Sequence, residues 1–173
     1  MFSLESLQVL IAHMEWADAE VWRVVEELPR SDFDSRLRDS LVHLHFVQQA
    51  FLNAWTGRPV EQPRPADFVT PADLRRWLAP YYSSALQFLT GLDPARLSEP
   101  MVVPWVGYFE GRLGRRLESP SLAETIFQVA SHSTYHRGQV NSRLRELGAV
   151  PPLVDFIAWV WFGKPSARWP DQP

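Results

Sequence analysis

A chain of 173 residues with no cysteine excludes disulfides, thiolate metal ligands and a cysteine nucleophile, so any metal must be held by nitrogen and oxygen. A net charge of −3 supplies no basic field of the kind that nucleic-acid binding relies on. The length suits one domain over residues 1–173; no apolar run approaches the roughly 20 residues that span a bilayer, and Met1-Phe2-Ser3-Leu4-Glu5-Ser6 lacks the basic start of a signal peptide. The expectation is a cytoplasmic protein with no membrane or nucleic-acid partner.

Helical periodicity dominates, with the prolines gathered between the periodic segments. A first helix is expected over residues 4–28, closed by Pro29. A second begins near Ser31, Asp32, Phe33 and Asp34, which offer N-cap side chains, and runs to Gly57 through Leu37, Leu41, Leu44, Phe51 and Trp55. Residues 58–69 read as a crossing loop. Thr70-Pro71-Ala72-Asp73 then supplies a cap, a first-turn proline and a first-turn acid for a third helix reaching about Thr90. Between Pro100 and Leu117, Met101-Val102-Val103 and Trp105-Val106-Gly107-Tyr108 read as a short β-hairpin. Ser121-Leu122-Ala123-Glu124 is a capping box opening a fourth helix that ends at Gly148, and residues 155–162 suggest a short C-terminal helix packing Phe156, Ile157 and Trp159 onto the rest. The fold class expected is all-α, a four-helix bundle, in which sites are built from side chains on facing helices. Trp105, Tyr108, Trp159 and Trp161 are read as core filling rather than pocket lining.

The chemistry concentrates in the fourth helix. His132 and His136 are four residues apart, one turn apart on one helical face, so both imidazoles can address one ion. Ser133 follows the first of them, where a zinc peptidase would carry its glutamate, which disfavours that mechanism. A third ligand is offered by His43 or His45 in the second helix. These lie about 120° and about 80° from the centre of that helix's apolar stripe, so periodicity leans to His45 without deciding. His13 reads as a hydrogen-bonded bundle histidine.

The stretch from His132 through Tyr135, His136, Arg137, Gly138 and Gln139, with Arg143-Leu144-Arg145-Glu146-Leu147-Gly148 and Val154-Asp155-Phe156 after it, resembles the C-terminal signature of the DinB/YfiT-like family of small metal-binding helical bundles. Leu41-Val42-His43 with Trp55 twelve residues on, and Trp16-Ala17-Asp18, are similar to the family's first two helices. The resemblance implies His43, His132 and His136 as the metal ligands and leaves His45 as a neighbour. It also implies a homodimer. Two departures stand out: Gln48 where relatives often carry glutamate, and His13 where tyrosine is frequent.

Three neutral imidazoles leave a divalent ion its full charge and an open position, the arrangement of catalytic sites; zinc or nickel suits nitrogen ligands. The resemblance implies a transferase that activates a low-molecular-weight thiol, as in bacillithiol transferases and a mycothiol-dependent maleylpyruvate isomerase. In a chain without cysteine, that thiol must be a cosubstrate acting on a small-molecule substrate. Two other readings stand beside it: a metal-dependent hydrolase, and a non-catalytic metal or small-molecule binding protein of a stress response. Arg137 and Gln139 are read as packing residues in preference to supports of the metal ligands, Arg137 because it points to a different face from its neighbour.

Overall fold

The computed structural model describes residues 2–28 and 33–170. Helix α1 (Leu4–Glu27) opens on a reciprocal cap, the Ser3 hydroxyl accepting from the Ser6 amide and the Ser6 hydroxyl from the Ser3 amide. Two of the donors that every helix start leaves open are thereby satisfied. The expected stop at Pro29 and caps at Ser31 and Asp32 lie outside the described residues. Helix α2 (Ser35–Thr56) is capped by Asp34, whose carboxylate accepts from the Leu37 amide at 2.8 Å, and is closed by Gly57 at φ +68°.

The crossing loop carries a 3₁₀ turn, Pro65–Asp67, and Thr70 caps the next helix with Asp73 bonding back to it. The single helix expected from there to Thr90 is in fact two, α3 (Pro71–Leu78) and α4 (Pro80–Thr90). Pro80 has no N–H to donate and its ring crowds the preceding turn, so the ladder breaks at Ala79.

The expected hairpin is also corrected. Residues 100–117 form a lone antiparallel bridge from Pro100 to Ser121 and a helix, α5 (Val106–Leu113). Gly114 closes that helix at φ +66°, and the Glu110 carboxylate accepts the Leu117 amide at 2.9 Å. These local bonds outweigh the strand preference of Trp105-Val106-Gly107-Tyr108, which reflects packing context more than backbone. Helix α6 (Leu122–Glu146) carries the capping box expected at Ser121 and Glu124, and α7 (Phe156–Trp161) follows.

The bundle is built on α6, which packs most heavily against α2 and next against α1, with α4 lying across α1 and α2. Its interior is layered. One apolar layer gathers Leu7, Met14, Leu52, Leu89, Ile126 and Val129; the other gathers Trp22, Leu37, Leu41, Leu74, Val140 and Leu144. Each fully buried leucine contributes about 1.5–3 kcal/mol relative to an exposed one. Between the layers, at the level of residues 18, 45, 48, 133 and 137, the buried side chains are polar.

The aromatic residues divide. Trp159 is buried and donates to the Pro165 carbonyl, and Trp105 meets Phe51 edge-on at 4.9 Å, but Tyr108 and Trp161 are 65% and 74% exposed and fill no core. In α7 it is Ala158 and Trp159 that face inward; Phe156 and Ile157 stay about half exposed because a six-residue helix can bury only one side. The tail returns across the bundle, Trp169 lying 5.6 Å from the Tyr82 ring and donating to Glu15 at 3.3 Å. Among the described residues no helix is long and apolar enough to cross a membrane.

Candidate metal centre

Helices α2 and α6 bring His43, His132 and His136 together at the outer edge of their contact. The ring centroids lie 5.3 Å apart for His43 and His132, 4.4 Å for His43 and His136, and 4.2 Å for His132 and His136. One nitrogen from each ring falls within 4.8 Å of the others, so the trio could hold a metal ion. Nitrogens bound at about 2.0–2.1 Å to a tetrahedral zinc lie about 3.4 Å from one another, inside that limit.

Three further observations fit a divalent ion. Burial, reinforced by the neighbouring His136 and His43, pushes His132 down to about 4, and burial with the His136 charge lowers His43, so both rings rest in the neutral form that binds metal. The His132 Nδ1 is sealed from solvent and has no hydrogen-bond partner among the described residues, a state that costs free energy until something engages it. His136 donates from Nδ1 to the Gln139 carbonyl oxygen at 2.8 Å, which leaves Nε2 with its lone pair. Gln139, read from sequence as a packing residue, is thus the group that orients His136, one of the three candidate ligands.

His45, toward which periodicity leaned, goes elsewhere. It is 1% exposed and lies in the polar layer, two residues and 200° around α2 from His43. Its Nε2 accepts from the Trp22 indole at 2.9 Å, which obliges Nδ1 to carry the proton it gives to the Gln48 carbonyl oxygen at 2.8 Å. Gln48 then donates from Nε2 to Asp18 at 2.8 Å and to Ser133 at 3.1 Å. Gln48 therefore joins buried groups and lies off the histidine trio. His13 is the hydrogen-bonded bundle histidine expected, donating to the Val154 carbonyl at 3.0 Å against the Phe156 and Trp159 rings.

The centre of the layer is an ion pair that the sequence reading missed. Arg137 bonds Asp18 at 2.5 Å, each side chain only 2% exposed, and Tyr82 donates to the other Asp18 oxygen at 2.5 Å. Arg137 does point away from His136, but into the core rather than onto a packing surface. A signal was present: Arg137 falls in phase with Ser133, Val140 and Leu144, and Asp18 in phase with Met14, Val21 and Trp22, so both charges occupy core positions. Burial pushes the Tyr82 hydroxyl well up, so it stays a donor to Asp18.

No curated protein matches the chain. A family model described as the DinB family matches residues 1–165, nearly the whole chain, and on that span the chain belongs to the DinB family.

Proposed function

We propose that the protein is a metal-dependent transferase that activates a low-molecular-weight thiol, with His43, His132 and His136 as ligands of zinc or nickel. The observation that carries this reading is the convergence of three imidazoles on one partly exposed edge of the bundle, with no acidic side chain in the group. A divalent ion bound there would supply positive charge that lowers the pKa of a thiol or water beside it. The chain's own residues hold and orient: the three rings present neutral nitrogens, Gln139 fixes the His136 tautomer, and the polar layer keeps α2 and α6 in register. Having no cysteine, the protein takes its sulfur nucleophile from a cosubstrate. In the transfer the thiol sulfur forms a bond to an electrophilic carbon, the carbon's bond to halide or epoxide oxygen breaks, and the thiol proton leaves to solvent or to that oxygen. The family resemblance also supports a cytoplasmic homodimer acting on a small molecule.

The test is elemental analysis of the untagged protein beside His43→Ala and His45→Ala, followed by thiol consumption with epoxide and alkyl halide acceptors. Metal near one equivalent, lost in His43→Ala and kept in His45→Ala, with metal-dependent thiol consumption, is expected. Turnover of an activated ester that needs metal and no thiol would replace the transferase by a hydrolase. Tight metal binding without turnover of either kind would leave a binding protein.

A further inference from the structure

A cleft of about 520 Å³ runs along the side of α6 turned away from the histidines, within the size range of small-molecule sites. Asn141 on its floor lies nine residues after His132 and so about 180° around the helix. The lining reaches from Phe127 to Arg145, eighteen residues and about 27 Å of helix at 1.5 Å per residue, with α1 on one side and residues 152–156 on the other.

The two ends differ in chemistry. Toward the start of α6 the walls are Leu10, Phe127 and Phe156, the two phenylalanines 40% and 41% exposed. Toward its end they are Asn141 and Arg145. Among the described residues Arg145 enters no ion pair, whereas Arg137 in the same lining is held by Asp18 and Thr134. Asn141 is nine-tenths buried, and its carbonyl oxygen is sealed from solvent without a hydrogen bond. That leaves the amide N–H groups as what Asn141 can offer the cleft. Asp155 also lines the cleft, so a carboxylate there is selected by direct hydrogen bonds from Arg145 and Asn141 rather than by a net positive field.

Gly138, on the floor between the ends, is an independent pointer. Glycine is a poor helix former, and a Cβ built at this helix-interior position meets nothing within 4 Å, so no neighbour in the described structure requires its absence. The bare backbone there gives a bound molecule room to lie against the helix.

We propose that this cleft binds a small amphiphilic carboxylate, its apolar body against Leu10, Phe127 and Phe156, its head at Asn141 and Arg145, and Gly138 keeping the floor open. The site shares no residue with the histidine trio and stands or falls independently of it.

The experiment is calorimetric titration of decanoate, below its micelle concentration, into the full-length metal-loaded protein, with decan-1-ol as the neutral comparator. Saturable binding of one decanoate per chain is expected. Arg145→Gln should weaken it about tenfold and bring acid and alcohol to the same affinity. Gly138→Phe should abolish it while the thermal melt is unchanged or raised, since phenylalanine is the better helix former; Ser131→Trp, at an exposed lining position, fills the same cleft if that variant fails to fold. Binding should survive His43→Ala. Absence of saturable binding, indifference to both cleft-filling variants, or loss in His43→Ala would each overturn the proposal. So would a dimer by light scattering that Gly138→Phe dissociates and decanoate leaves intact, because a second copy would then cover the cleft.

Discussion

His43 and His45 stand two residues apart on one helix, and His136 and Arg137 are adjacent on another, yet each pair is divided between two regions of opposite character. Inside, every polar group of the chain from Trp22 through His45 and Gln48 to Asp18 has a partner, and the direction of each proton follows from the last. Outside, three imidazoles crowd together with one ring nitrogen orphaned and another held by a lone glutamine. A satisfied network specifies structure; an unsatisfied cluster, held in place by that structure, is available for chemistry.

The sharpest way to break this contrast is to unpair the inner region. Arg137→Ala leaves Asp18 as an uncompensated buried charge and should cost about 3–5 kcal/mol by urea denaturation. Next comes the neighbouring histidine pair. His45→Ala strands the Trp22 indole N–H and the Gln48 carbonyl and should lose about 2–3 kcal/mol with metal content unchanged, whereas His43→Ala should lose the metal and move stability by no more than about 0.5 kcal/mol. A result in which both variants unfold the protein equally, or both keep the metal, would erase the distinction. Gln139→Ala sharpens it from the outer side: the freed His136 ring should bind metal about 10–100-fold more weakly, read by competition with a chromophoric chelator, with the unfolding curve unmoved.

The smallest effect expected lies at the α2 cap, away from both regions. The Arg143 hydrogen bond, aided by the Leu37 amide, holds Asp34 at about 2 against an ordinary 3.8. Its contribution is therefore complete above pH of about 4 and disappears as the pH falls through 2. Asp34→Ala should cost about 1 kcal/mol at neutral pH through the lost cap. Asp34→Asn should keep most of the cap and flatten that part of the acid-unfolding curve, followed by circular dichroism.

Helix limits were legible because they are set locally, by Ser3, Thr70, Ser121, Gly57 and Gly148 and their immediate neighbours. The break at Pro80 was legible too, by the same rule, but was overlooked within a continuous apolar pattern. Residues 100–117 were not, since Val, Trp and Tyr favour strands only when a pleated partner surface exists. At the candidate centre the i, i+4 pair was plain, and periodicity ranked His45 as the more inward histidine, which it is. Inward is not the same as available: the trio converges at the edge of the α2 and α6 contact, while His45 is engaged by Trp22 and Gln48 in the polar layer. The Asp18 and Arg137 pair joins residues 119 apart in sequence, a separation over which neither charge announces the other.

The family match ends at residue 165, and Trp169 lies beyond it. That indole rests on the Tyr82 ring and reaches Glu15, closing the outer side of the tyrosine whose hydroxyl feeds Asp18. A chain cut after Gly163 would keep the helices α1 to α7 but open a water route toward the most expensive charge in the molecule. Trp169 thus acts as a seal, and a substitution at this surface-lying indole bears on the interior of the bundle as directly as one in the core.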